Sequence, residues 1–323
     1  MSQNTTNTTA FIEAQQYSKF ILENLNDELL PESFTRDVSD FGSGTTLNIK
    51  SVGSASIQDV AEDVPLTFNA IDTSTVTLGI TEYTGDAWYI NDDLREDGAQ
   101  IETLSAMRAQ ESVRALQQDV ETKFLKACNA AQTANGANNV NGVKHRFVAN
   151  GTARAIELQD FAYQRFAFDK ANNPQGGRVA IVDPSVALTM DTLTNLVNVS
   201  NNPMFEGIVT EGFRRNHQFV KNIYGWDIYV SNRLHQVTSV EGSLTDRDGN
   251  ITATVVGDVA NVFMCVLDDN VRPIMKAWRR MPKAEGWRDP DNRQDKFQVT
   301  SRFGFGAQRV DSLSILLSNP STY

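Results

Sequence analysis

The spacing of apolar residues changes several times along this chain, and each change marks an element. Apolar positions recur at Phe11, Tyr17, Phe20, Ile21, Leu25 and Leu29, which predicts a short amphipathic helix over 11–30 that Pro31 ends. Two strands follow. Thr45 to Val52 alternates at Leu47 and Ile49, and Thr75 to Tyr83 sets Val76, Leu78 and Ile80 on one face with Thr77, Gly79 and Thr81 on the other. The excursion between them contains Gln58-Asp59-Val60-Ala61-Glu62-Asp63-Val64-Pro65 and is far longer than a hairpin turn, and long loops of this kind tend to carry function. Asn91 to Gln132 then reads as one long helix, with Ile101, Leu104, Val113, Leu116, Val120, Phe124 and Ala127 at near-helical spacing. Acidic Asp92, Asp93, Glu96 and Asp97 suit its N-terminal end, and Gly98 is where it would bend. At 1.5 Å per residue such a helix is roughly 60 Å long, more than a compact globule needs.

The second half alternates helices and strands. Glu157 to Ala171 is helical, with Leu158, Phe161, Ala162 and Phe168 inward. Arg178 to Val182 is a short buried strand, and Asp183-Pro184 opens a helix striped by Val186, Met190, Leu193 and Val197. Further strands are predicted at 226–230, 251–255, 262–267, 296–303 and 313–317. The fold class is α+β, with no internal repeat.

Charge adds a second layer. The 323 residues carry a formal net charge of −11, a poor match for wrapping nucleic acid by charge alone. Residues 1–130 hold 21 acidic and 8 basic side chains, whereas 270–310 holds 10 basic and 4 acidic. One part of a copy is thus suited to attract another part of a neighbouring copy, the plain alternative being solvated faces. No apolar run is long enough to span a bilayer, and the N-terminus lacks the pattern of a secretory signal. Two distant cysteines, Cys128 and Cys265, fit a reducing compartment better than a disulfide framework.

Chemistry-bearing motifs are missing from the sequence. His145, His217 and His235 stand apart with no ligand-spaced partner, so neither a metal nor a cofactor is expected. There is no Gly-x-Ser-x-Gly elbow and no phosphate-cradling Gly-x-x-x-x-Gly-Lys loop. Gly304-Phe305-Gly306 reads as a glycine bend between strands, and Asp246-Arg247-Asp248-Gly249-Asn250 as a hairpin turn rather than a calcium loop. Trp278-Arg279-Arg280, Lys283 and Trp287-Arg288 interleave aromatic and basic residues, a weak nucleic-acid signal that a basic loop facing an acidic partner explains as well. No catalytic constellation emerges, so an enzyme is not expected.

The order of parts is more specific than any motif. Val76-Thr77-Leu78-Gly79-Ile80 leads through Tyr89-Ile90-Asn91-Asp92-Asp93-Leu94 into the long helix, Tyr224 to Asn232 forms a later strand ending in Ser-Asn, and Arg302-Phe303-Gly304-Phe305-Gly306-Ala307 closes the chain. This resembles the HK97-like major capsid (coat) protein of tailed bacteriophages over nearly the whole chain. The resemblance implies an N-terminal arm at 1–44 and an extended β loop, the E-loop, at 45–85. It implies a peripheral domain at 86–150 and 259–303, containing the spine helix, and an axial domain at 151–258 and 304–323. It also implies hexamers and pentamers closing into an icosahedral head around double-stranded DNA, a separate scaffolding protein, a portal, and a virion capsid assembled in host cytoplasm. Lys50 is the sole lysine of 45–85 and sits in the first strand, so the shell is expected to be non-covalent.

In such a shell the loop lies over a neighbour's peripheral domain. The expected intersubunit contacts are therefore Asp59, Glu62, Asp63 and Asp72 on the loop, against Arg272, Lys276, Arg279, Arg280, Lys283 and Arg288 on the basic stretch. Lumenal DNA is the rival target for the basic residues. An encapsulin-like protein compartment shares the architecture, and a soluble enzyme or ligand-binding domain is the alternative of another class. Residues 1–44 and about 53–75 are expected to be poorly packed on their own subunit.

Overall fold

The computed structural model describes residues 34–39, 44–52, 57–60, 62, 67–68, 70–71, 73–97, 101–132, 139–192, 219–242, 244–254 and 256–320. The elements run β1 (Arg36–Asp37), β2 (Thr46–Val52), β3 (Thr73–Gly79), β4 (Glu82–Asn91), α1 (Asp92–Asp97), α2 (Ile101–Ala131), β5 (Asn139–Val140), β6 (Val143–Lys144) and β7 (Arg146–Val148). There follow α3 (Leu158–Lys170), β8 (Arg178–Val182), α4 (Pro184–Thr192), β9 (Phe219–Ile223), β10 (Trp226–Val230), β11 (Leu244–Thr245), β12 (Ile251–Thr252) and β13 (Val259–Cys265). β14 (Ile274–Asp289), β15 (Gln294–Ala307) and β16 (Leu313–Ser318) complete the chain.

Two sheets organise these parts. The six-stranded sheet has the order β7-β16-β13-β8-β10-β9. Every residue of β8, β13 and β16 is buried, because both faces of the sheet are covered. The period of two divides their side chains between two cores. Val179, Ile181, Val262, Met264, Ile315 and Leu317 pack with Phe124, Leu125 and Cys128 of α2. Ala180, Val182, Phe263, Cys265 and Leu316 pack with Phe161 and Phe168 of α3 and with Val186 and Met190 of α4. Asp183 caps α4 by accepting from Ser185 N at 3.0 Å, as its place before Pro184 predicts. In α3 the inward alanine is Ala167, whereas Ala162 is exposed.

The four-stranded sheet has the order β1-β14-β15-β4. The stripe Val113, Leu116 and Val120 of α2 lies against Trp278, Val299 and Phe303 on one of its faces. The predicted 91–132 helix is present as α1 and α2, and the expected bend at Gly98 lies outside the described residues. The switch between sheets falls between Cys265 and Ile274, so the boundary expected at 259 lands on β13, a strand of the six-stranded sheet.

Four expectations need correction. The run from Trp278 to Arg288 is no loop: its aromatic and basic residues lie on β14, a 16-residue strand paired with β15 from Ile274↔Ala307 to Asp289↔Gln294. Pro282 cannot donate to a ladder, and the register shifts between Trp278 and Arg280 and between Arg280 and Lys283 absorb it. Gly304 and Gly306 are strand residues rather than a bend. A Cβ at Gly304 would stand 2.3 Å from Gly79 O, and one at Gly306 2.6 Å from Leu78 Cδ1, so both glycines let β3 pass close over β15. The strand predicted over 75–83 breaks at Ile80-Thr81 into β3 and β4.

The fourth correction concerns the arm. Phe34 is buried, with its ring edge-on to Tyr229 at 5.3 Å, and β1 pairs in parallel with β14. The end of the segment expected to hang free therefore packs on its own subunit. Residues 1–33, including the helix predicted over 11–30, lie outside the described residues.

Candidate intersubunit interface

β2 and β3 form an antiparallel hairpin with register from Thr46↔Gly79 to Val52↔Thr73. Its root is fixed: Leu78 and Ile80 are buried with Met275 and Ala277, and Ile80 N donates to Thr45 O at 2.9 Å. Beyond Val52 the chain loses that support. Ile57 is 98% exposed, Phe68 97%, Ile71 80% and Val60 74%. Gln58 and Thr67 tie the two sides together, Gln58 Nε2 donating to Thr67 O at 2.8 Å and Thr67 N to Gln58 Oε1 at 3.1 Å. Asp59 and Glu62 are exposed on this loop, and Asp63 and Asp72 lie outside the described residues. Apolar side chains held in water at a loop tip mark a surface that gains by being covered.

The six basic candidates have different fates. Lys276 is buried, its ammonium 5.4 Å from the Trp278 ring, so it cannot meet a neighbour and leaves the set. Arg272 is engaged within its own chain, donating to Asp269 at 2.6 Å and to Thr35 O at 3.1 Å. Arg288 donates to both oxygens of Asp92 at 2.5 and 2.6 Å and to Asp295 at 3.1 Å. That hydrogen bonding holds the Asp92 carboxyl below its ordinary range and raises the guanidinium. Arg280 and Lys283 share Glu285, at 2.9 and 3.0 Å. Hydrogen bonds from Lys283 and Gln298 keep Glu285 low, so it stays ionised in the middle of the strand. Arg279 is exposed.

Pairing across the sheet adds residues that the sequence pattern did not single out. Arg302 of β15 stands between Arg280 of β14 and Tyr83 of β4. Together with Arg279, Ile80 and Thr81 they line an open cleft of about 530 Å³ beside the root of the hairpin. Tyr83 is 63% exposed there. Among the described residues Arg302 has no ion-pair partner. The alternation of Lys296, Gln298, Thr300 and Arg302 against Phe297, Val299, Ser301 and Phe303 is the signal that places Arg302 on the open face.

The long helix is pinned to the six-stranded sheet by polar contacts. Glu121 of α2 is buried, accepting from Ser231 Oγ at 2.5 Å and from Arg233 at 2.7 Å. Ser231, just past the 226–230 strand, is thus a helix anchor together with Arg233. Arg146, also buried, forks onto Glu241 at 2.6 and 2.9 Å and donates to Gln132 O near the C-terminal end of α2. Burial pushes the Asp160 carboxyl up to about 6, although Glu157 N and Arg247 both donate to it. The group is fully buried among these partners. Among the described residues no cluster of three or more His, Cys, Asp or Glu is placed to hold a metal, and no helix is long and apolar enough to cross a membrane.

Comparison with known proteins decides what this architecture is for. A family model described as phage capsid protein matches residues 72–316. The chain belongs to the phage capsid protein family. It is a structural major capsid protein with the HK97-like fold, and its place is the virion shell. Solved structures agree on the fold. The capsid of cyanophage P-SCSP1u is 18% identical, over 90% of this chain and 89% of that one, with a TM-score of 0.66. The mature capsid of bacteriophage PhiM1 is 14% identical, over 92% and 88%, with a TM-score of 0.64. A virus-like particle from Pyrococcus furiosus is 11% identical, over 94% and 99%, with a TM-score of 0.51. A comparison with curated protein sequences finds no match.

Proposed function

We propose that copies of this capsid protein form hexamers and pentamers that close into an icosahedral head around double-stranded DNA. Assembly takes place in host cytoplasm with separate scaffolding and portal proteins, and the chain contributes packing surfaces rather than catalysis. The six-stranded sheet with α3 and α4 would serve as the axial domain, and the four-stranded sheet with α2 as the peripheral domain.

The observation that carries this reading is the hairpin tip. Four large apolar side chains at 74–98% exposure lie beyond a root that is firmly packed. Closed symmetry covers every such tip with a neighbour. Negative-stain electron microscopy of the purified protein, with sedimentation across a concentration series, tests it. Closed shells or rings of five and six are expected, and a monomer or dimer at every concentration overturns the reading. Particles that enclose a cargo enzyme instead of DNA would point to an encapsulin-like compartment.

A further inference from the structure

We infer that Asn141-Gly142, the turn between β5 and β6, is a site of spontaneous deamidation, and that its acidic product releases the hairpin from the end of α3. The change needs only water and takes place whether or not copies assemble.

Two Asn-Gly pairs fall among the described residues, and the fold treats them differently. At Asn150-Gly151 the Gly151 N–H donates to Ala155 O at 3.0 Å, and the Asn150 amide donates to Asp248. A Cβ at Gly151 would stand 2.4 Å from Ala155 O, so the backbone around this glycine is closely packed. At Asn141-Gly142 both residues are exposed, and nothing lies within 4 Å of a Cβ built on Gly142. The Gly142 N–H has no hydrogen-bond partner among the described residues.

Asn141 and Gly142 have φ of 49° and 82°, the left-handed pair that a two-residue hairpin turn demands. The ladder behind the turn has two residue pairs, Asn139↔Lys144 and Val140↔Val143, so local opening costs little. In the open turn the Gly142 nitrogen attacks Asn141 Cγ. The Cγ–Nδ2 bond breaks, and ammonia leaves carrying the proton lost by Gly142. Water then opens the cyclic imide at either of its two carbonyls, leaving aspartate or isoaspartate at position 141.

The amide lost in this step holds the hairpin in place. At the C-terminal end of α3, Phe168 O and Asp169 O accept from Asn173 N and Asn172 N, and Lys170 O accepts from Asn141 Nδ2 at 2.6 Å. A carboxylate has no hydrogen to donate there, and it brings negative charge to the negative end of the helix dipole. Isoaspartate also adds a carbon to the main chain of a two-residue turn, which spoils the register behind it. Both products unseat the hairpin from α3.

Peptide mapping tests the site. The purified chain is incubated in mildly alkaline buffer, folded or in urea, and its tryptic peptides are followed by mass spectrometry with fragmentation that separates aspartate from isoaspartate. Cleavage at Lys126, Lys144, Arg146 and Arg154 puts Asn141 and Asn150 on different peptides. The folded chain is expected to convert Asn141 about ten-fold or more faster than Asn150, and the unfolded chain to convert the two at similar rates. Conversion at Asn141 no faster than at Asn150 in the folded chain overturns the site. Asn141→Asp tests the consequence: amide hydrogen exchange over 168–173 is expected to quicken about three-fold or more, with 157–160 unchanged. Unaltered exchange over 168–173 in that variant overturns the release of the hairpin.

Discussion

Substituting Gly304 and Gly306 with alanine should give unequal losses of stability, because the two methyl groups meet different obstacles. At Gly304 the new carbon would stand 2.3 Å from Gly79 O and 2.9 Å from Ile80 Cα, both backbone atoms. Ordinary contact requires roughly 3.3 Å or more, so the β3 backbone has to retreat by about 1 Å. It is held where it is by the bond from Ile80 N to Thr45 O and by the burial of Leu78 and Ile80. Gly304→Ala should therefore cost about 3 kcal/mol, the upper part of the usual range for overpacking. At Gly306 the obstacle is Leu78 Cδ1 at 2.6 Å, and the next contacts are an ordinary 3.6 Å. A rotamer change at Leu78 makes room, so Gly306→Ala should cost about 1 kcal/mol. Urea unfolding of the purified chain, followed by tryptophan fluorescence, measures both. A cycle with Leu78→Ala isolates the second clash, because Gly306→Ala should be nearly neutral in that background. Equal losses at the two glycines, or a loss below about 0.5 kcal/mol at Gly304, would refute the close crossing of β3 over β15.

Leu116 is buried in the middle of α2, so Leu116→Pro should block assembly by breaking the helix at a cost of about 3 kcal/mol or more, and normal particles from that variant would contradict the helix's role as the long support of the subunit. Glu121→Ala should cost about 2–3 kcal/mol in urea unfolding and Ser231→Ala about 1 kcal/mol, since the buried carboxylate accepts from Ser231 and Arg233. Burial holds the His145 imidazole below its ordinary value of 6.5, against the opposing pull of Val143 O and Asp311. The unfolded chain then takes up the proton first, so this contribution to stability is complete above pH 6.5 and is lost as pH falls toward the folded-state value. His145→Phe should flatten that part of the stability profile, and an unchanged slope between pH 6.5 and 5 would show that the buried ring carries no such linkage.

Much of the core was legible in the sequence because its strands are buried on both faces. Arg178–Val182 and Leu313–Ser318 show as short apolar runs bounded by breakers, and the α2 stripe keeps its helical period over several turns. β14 was hidden for a physical reason. It opens with five consecutive buried residues, then carries two register shifts and Pro282, so no single period survives along it. The same buried run takes Lys276 indoors, which charge counting had placed on the surface. β1 is only two residues long, too short for any periodic signal, and its position depends on pairing with a strand far along the chain. The cleft was invisible as a unit because Tyr83, Arg279 and Arg302 come from three strands and meet only through the sheet register.

The way this chain handles charge suits a shell that must close without error. Most basic residues of β14 and β15 are satisfied inside the subunit, so few remain to act between copies. An exposed ion pair contributes only about 0–1 kcal/mol, and salt screens it beyond roughly 10 Å at 0.1 M. Copies that met only through such a pair would separate easily, because no single pair holds them. Covering the exposed Ile57 and Val60 would add about 25 cal/mol per Å² of surface removed from water. Such an apolar term would outweigh a single exposed ion pair once a few tens of Å² are covered, roughly 1 kcal/mol per 40 Å². Ile57, Asp59, Val60 and Glu62 place exposed apolar and acidic side chains side by side on one loop, so covering it would engage both kinds of interaction at once.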